Sequence, residues 1–170
     1  MTNSPQYYKL PQYNEKGKPY PWKDEPNFAY YTDANTGLDY FIIRSKELRY
    51  LNGFIVVQES DIELLKSIVN TEVWPFDVHN GVMFCDKYEF ESFVNSPIYC
   101  IGFGCGRYNT GDEIPCRYSE EWIKTTKIAP PTLGKITKYR DIKYVQEECK
   151  KLAVQVADYL KKHRSLERLL

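Results

Sequence analysis

Ile142, Val145, Cys149, Leu152, Val156 and Leu160 recur three and four residues apart, the spacing that stacks apolar side chains along one face of an α-helix. The stripe predicts an amphipathic helix from about Asp141 to Lys162, the longest regular element in the chain. A helix with one apolar face must bury it, and the short β-branched and aromatic runs upstream supply a sheet to receive it. A coiled-coil partner is the rival occupant of the stripe, but the repeat lasts barely three heptads. A homo-oligomer stays open on that ground.

The runs upstream read as strands. A strand near Ala29–Tyr31, a turn through Asp33, Asn35 and Gly37, and Tyr40–Arg44 form a hairpin, with a further strand at Gly53–Gln58. Ser60 followed three residues later by Glu63 reads as a capping box opening a helix with Ile62, Leu65, Ile68 and Val69 on its apolar face. Val78–Cys85 reads as a strand with a bend at Asn80-Gly81 or as a tight loop entering a strand, and Asp86 and Glu89 as caps of a helical turn under Phe90 and Phe93. Ile98–Phe103 reads as a buried strand running into a flexible loop with Gly104, Gly106 and Gly111. A short capped segment at Ser119–Lys124 and a Pro130-Pro131 linker precede the final helix, and Leu166, Leu169 and Leu170 continue or fray its end. The fold class expected is α+β, a mixed or mostly antiparallel sheet packed against the C-terminal helix.

Residues 1–27 hold Pro5, Pro11, Pro19, Pro21 and Pro26 among Tyr7, Tyr8, Tyr13 and Tyr20. Proline at that density forbids long regular structure, so an arm, either laid across the domain or disordered, precedes a single domain at 28–170. Lys plus Arg and Asp plus Glu number 23 each, which leaves no broad cationic face for duplex nucleic acid. No apolar run approaches the ~20 residues of a membrane span, and nothing near the start reads as an export signal. A cytoplasmic protein, in the host cytosol if phage-encoded, with no membrane partner is the expectation.

Two segments carry the chemistry that can be read from residues. Asp77 and His79, two apart in an extended segment, share a face on which a carboxylate can orient an imidazole for general-base work. The alternative is a histidine that only hydrogen-bonds within its turn. Gly104, Cys105, Gly106 and Arg107, with Asp112 beyond, make a glycine-punctuated loop whose amides and guanidinium suit an anion. Against this stands a loop whose glycines merely serve positive φ angles. Cys105 is a nucleophile only if Arg107 or His79 lowers its pKa. Neither a P-loop nor a Gly-x-Ser-x-Gly elbow is present. Cys100 and Cys105 lie five apart with only His79 and His163 to complement them, so neither a metal site nor a cofactor is expected.

The motifs Leu51-Asn52-Gly53-Phe54, Val78-His79-Asn80-Gly81-Val82-Met83-Phe84, Gly102 to Arg107 with Gly111-Asp112, and Tyr139-Arg140-Asp141-Ile142-Lys143-Tyr144-Val145 occur in that order. In these the chain resembles a family of small uncharacterised bacteriophage- and prophage-encoded proteins, over roughly residues 40–157. Relatives carry Asp and His where this chain has Gly104 and Arg107. The resemblance brings no activity with it. It leads to the expectation of a non-catalytic accessory protein that binds an anionic small molecule or a host protein, with counter-defence by sequestering a nucleotide signal as one form. A small hydrolase or nuclease built on Asp77, His79 and Asp112 is the alternative.

The five cysteines, Cys85, Cys100, Cys105, Cys116 and Cys149, are an odd number in a chain without an export signal, so all are expected as thiols. Titration after unfolding without reductant should find five free groups; fewer would mean that a disulfide forms.

Overall fold

The structure, a computed structural model, describes residues 8–69, 75–89, 97–128 and 137–169. Five strands form one antiparallel sheet: β1 (Phe28–Thr32), β2 (Asp39–Arg44), β3 (Leu51–Val57), β4 (Phe84–Tyr88) and β5 (Ile98–Gly104), in the order β1-β2-β3-β5-β4. Helix α1 (Glu59–Val69) follows β3, α2 (Glu120–Thr126) follows β5, and α3 (Ile142–Glu167) ends the fold. The fold is α+β. Among the described residues no helix is long and apolar enough to cross a membrane.

Strand alternation sorts the side chains between the two faces of the sheet. Pairing Tyr40 with Ile55, Ile55 with Ile101 and Gly53 with Phe103 places Tyr40, Ile42, Ile55, Ile101 and Phe103 on the face covered by α3. There they meet Val145, Cys149, Leu152, Val156 and Leu160, all buried. Gly53 is needed at the crossing, because a Cβ there would stand 2.5 Å from the Cys149 sulfur and 2.8 Å from the Phe103 ring. The opposite face is aromatic: Phe41 stacks on Phe54 at 5.0 Å, and Phe84 and Tyr88 pack around Phe54 at 5.7 and 5.4 Å.

Several local expectations need correction. Helix α1 begins at Glu59, one residue before Ser60, so Ser60 lies inside the first turn instead of capping it. Of the two readings of Val78–Cys85 the fold adopts the tight loop entering a strand: a tight turn occupies 78–81, and β4 begins at Phe84. Asp86 pairs within β4 opposite Cys100 and precedes no helical turn among the described residues. Phe90 and Phe93 lie outside the described residues, as do Pro5, Tyr7, the Pro130-Pro131 linker and Leu170. The final strand runs one residue further than its apolar run, through Gly104.

The segment before β1 packs on the domain from residue 8 onward. Trp22 is buried, stacked on Tyr20 at 4.6 Å and edge-on to Tyr139 at 5.3 Å, and its indole N–H donates to the Pro11 carbonyl. Glu25, whose side chain is only 6% exposed, accepts from Arg44 Nη2 at 2.7 Å, from the Tyr139 hydroxyl and from the Ile142 backbone N–H at 2.9 Å. Asp141 caps the same helix end by accepting from Tyr144 N at 2.8 Å, satisfying another of the donors that every helix start leaves open.

Leu152 has no exposed surface, so Leu152→Ala should lower unfolding free energy by about 2–5 kcal/mol, as core truncations do. Equilibrium denaturation measures this, and an unchanged curve would mean that the stripe does not pack on the sheet.

Candidate functional site

The turn after Val78 presents the histidine. Gly81 N donates to the Val78 carbonyl at 2.8 Å, and Asn80 and Gly81 take φ of 60° and 76°, a left-handed conformation that Asn and Gly adopt most readily. Asn80 then bridges three segments. Its Nδ2 donates to the Gly104 carbonyl at 3.0 Å and to Asp112 Oδ2 at 2.7 Å, while its Oδ1 accepts from the Thr110 hydroxyl at 2.8 Å.

Asp112 has no solvent exposure. It sits where the chain leaves a short 3-10 turn through Gly111, whose φ is 89°, and makes an isolated parallel bridge with Lys138. That bridge, with Lys138 N on the Gly111 carbonyl at 2.7 Å and Glu113 N on the Lys138 carbonyl at 3.1 Å, brings the start of α3 beside the loop. The carboxylate collects four donors. His79 Nε2 and Arg140 Nε reach Oδ1 at 2.7 and 3.4 Å, and Asn80 Nδ2 and Arg107 N reach Oδ2 at 2.7 and 3.1 Å. Burial by itself raises the Asp112 carboxyl, but hydrogen bonds from His79, Asn80 and the Arg107 backbone outweigh it and hold its pKa below the ordinary aspartate value.

His79 is held from both sides. An ionised Asp112 can only accept, so Nε2 carries a proton; Nδ1 lies 2.9 Å from the Tyr144 hydroxyl, which can serve as donor or acceptor. Both ring nitrogens are therefore engaged within the protein. The Arg140 guanidinium, just before the helix cap, lies over the ring of Tyr144 in the first turn of α3 at 4.7 Å. Burial, then the Glu148 charge, raises the Tyr144 phenol and keeps it protonated at neutral pH.

The residues singled out from sequence divide into those the fold gathers and one it does not. His79, Gly104, Arg107 and Asp112 meet in one hydrogen-bonded cluster. Asp77 faces elsewhere: its exposed side chain lies 3.4 Å from Lys151, and its backbone exchanges hydrogen bonds with the Gln155 side chain. The carboxylate that pairs with His79 is Asp112, 33 residues away in the chain. Cys105 is buried, and burial followed by the nearby Asp112 charge pushes its thiol far upward. It is a poor nucleophile there.

The glycines owe their places to close packing. A Cβ on Gly104 would stand 2.6 Å from Asn52 Oδ1, and one on Gly106 2.2 Å from the Tyr50 ring; neither residue has a positive φ. Among the described residues no group of three or more His, Cys, Asp or Glu side chains is placed to hold a metal.

Arg107 differs from the rest of the cluster. Its backbone is clamped by Asp112, donating to the carboxylate and accepting from Asp112 N at 3.2 Å. Its side chain is exposed and makes no ion pair among the described residues. Beside it in the chain Tyr108, 43% exposed, carries the Arg117 guanidinium 4.2 Å over its ring, with Trp122 on the same guanidinium at 5.9 Å.

Residue-by-residue reading did not place Asn80, Thr110, Arg140 or Tyr144 in the site. The available signal was the polar pair Arg140 and Tyr144, four apart where the apolar stripe of α3 begins.

Because the Asp112 pKa is lower folded than unfolded, its stabilisation is complete above about pH 4–5 and is lost as pH falls through the folded value. Asp112→Asn should cost roughly 3 kcal/mol at pH 7, the scale of breaking a buried ion pair, and should flatten the stability loss below about pH 4. Denaturant titrations at pH 7 and between pH 2 and pH 5 test both; equal acid slopes for the variant and the parent would remove Asp112 from the account.

Set against known proteins, the chain matches no family model, no curated protein and no solved structure.

Proposed function

We propose that the protein is a non-catalytic binder of an anionic ligand, which it grips through Arg107 on the loop that the His79–Asp112 cluster holds in place. One observation carries this reading. Both nitrogens of His79 and both oxygens of Asp112 are committed inside the protein, while the Arg107 guanidinium, on a backbone those groups immobilise, is exposed.

A general base needs a lone pair aimed at a reacting atom, and this imidazole has none left over. A binder needs a held donor, and holding it in place lowers the entropy lost on association. Planar aromatic surface at Tyr108 and Trp122 beside the Arg107 loop favours an anion that also carries a ring, such as a nucleotide. Together with the resemblance to bacteriophage and prophage proteins, this supports an accessory role in which a nucleotide signal is sequestered as counter-defence.

The hydrolytic alternative keeps one supporting observation, the 2.7 Å His79–Asp112 contact, but lacks Asp77. The two readings separate experimentally. A thermal-shift screen of nucleotides and small anions identifies a ligand, since whatever prefers the folded state raises the melting temperature. Arg107→Ala should then weaken it about tenfold or more, the loss of one or more charge-assisted hydrogen bonds of roughly 1.5–3 kcal/mol each, with folding unchanged. Denaturing the loaded protein should return the ligand intact. A cleaved ligand would establish the enzyme, and wild-type affinity in Arg107→Ala would take the ligand away from this loop.

A further inference from the structure

The sheet has two edges, and they are finished differently. β4, at one end of the strand order, carries Asp86 and Lys87. Lys66 of α1 reaches Asp86 at 2.9 Å, and Lys87 pairs with Glu89 at 3.3 Å. Charged side chains guard an edge, because a further strand would have to strip water from them. β1, at the other end, reads Phe28-Ala29-Tyr30-Tyr31-Thr32. It holds no charge and no proline, and its register with β2 runs from Phe28–Ile43 to Thr32–Asp39 without a bulge. The strand itself carries none of the devices that blunt an edge.

The hydrogen-bond pattern decides which backbone groups are left over. Arg44 N donates to the Asn27 carbonyl and Asp33 N to the Leu38 carbonyl, each at 2.8 Å. Bonded pairs alternate with non-bonded ones along an antiparallel ladder, so Ala29 and Tyr31 turn their backbone groups towards β2, while Tyr30 and Thr32 turn theirs away from it. The amide and carbonyl of Tyr30 and of Thr32 have no partner among the described residues, and both residues are exposed. Donors and acceptors alternating at the spacing of a strand are matched by extended backbone; a side chain or a small anion satisfies only some of them.

β1 is itself such a strand. Set antiparallel to a second β1 about a two-fold axis through Tyr31, Tyr30 of each copy faces Thr32 of the other, and every one of these open groups is bonded with no other group required. On the α3 side of the sheet the two Tyr31 rings, each stacked on its own Tyr40 at 5.1 Å, then lie opposite one another as a cross-strand aromatic pair. An uncharged strand does not repel its own copy, and a two-fold contact closes on itself.

We propose that β1 is a self-association edge, through which two copies of the chain pair antiparallel at Tyr30 and Thr32 and join their sheets into one. A ladder this short belongs to the low end of specific interfaces, so the dimer is weak and dissociates on dilution. β1 lies three strand spacings from β5, about 14 Å across the sheet, and the contact does not use the Arg107 loop.

The test is sedimentation velocity of the full chain over an about hundredfold range of concentration, with backbone amide exchange followed by NMR at the extremes of that range. A reversible monomer–dimer equilibrium is expected. The Tyr30 and Thr32 amides should exchange more slowly as the dimer fills, while those of Ala29 and Tyr31, bonded to β2, stay protected throughout. Thr32→Pro removes an outward donor at an edge position where proline is tolerated, and should weaken association about tenfold or more. Circular dichroism and a denaturation curve establish that this variant is folded, and the exchange data on the parent protein stand without it. Arg107→Ala should dimerise as the parent does, which separates this proposal from the anion-binding one, and so should Leu166→Glu, at an exposed position on α3. A monomer at every concentration, or a dimer whose Tyr30 and Thr32 amides exchange as fast as in the monomer, would overturn the proposal. So would a dimer lost in Leu166→Glu and kept in Thr32→Pro, which would put the contact on the helix. Protection of the Tyr30 and Thr32 amides only in complex with a different protein would likewise overturn it and give the edge to another chain.

Discussion

A carboxylate without solvent is tolerated only where donors replace the water it has lost, and Asp112 obtains four. Two come from the turn after Val78, one from the backbone following β5 and one from the head of α3. Satisfying this single charge therefore requires three chain segments, far apart in sequence, to arrive at one point. The loop geometry from 105 to 112, the orientation of His79 and the position of Arg140 are all consequences of that requirement.

Glu25 plays a similar part on the other side of the helix start. It joins the segment before β1 to Arg44 in the sheet and to the first backbone amide of α3. The helix thus enters the fold between two buried carboxylates, with Tyr139 directed to one and its neighbour Arg140 to the other. The positive end of the helix dipole faces both negative charges. Anchoring of this kind explains how an exposed side chain such as Arg107 can be held on a defined backbone although it stands in a loop.

Much of the framework was readable in advance, and the reasons are local. The α3 stripe is set by a 3.6-residue period that can be read from the chain alone. The hairpin of β1 and β2 and the strand at Ile98 follow from alternation and turn residues. Where the reading slipped or stayed open, a nonlocal contact decided the outcome. Composition leaves Val78–Cys85 open between a bent strand and a tight loop entering a strand, and Asn80, bound to Gly104, Thr110 and Asp112, selects the turn. Gly102, Gly104 and Gly106 look like flexibility from sequence; in the fold Phe54, Asn52 and Tyr50 respectively occupy the space a side chain would need.

The site divides along the same line. Residue types and spacing alone determined that Arg107 and Asp112 belong to a glycine-punctuated loop after a buried strand, since apolar periodicity fails there and turn chemistry takes over, whereas alternation put His79 in an extended segment and the fold puts it in the turn that Asn80 holds. Which carboxylate the histidine meets was not determined by proximity in the chain. Asp77, two residues away, is turned out towards Lys151 and Gln155 on α3, and Asp112 takes its place because the Gly111–Lys138 pairing carries it under the helix start. Hydrogen bonding and burial act through space, so the partners of a buried charge are chosen only when the sheet, the loop after β5 and the head of α3 have closed around it.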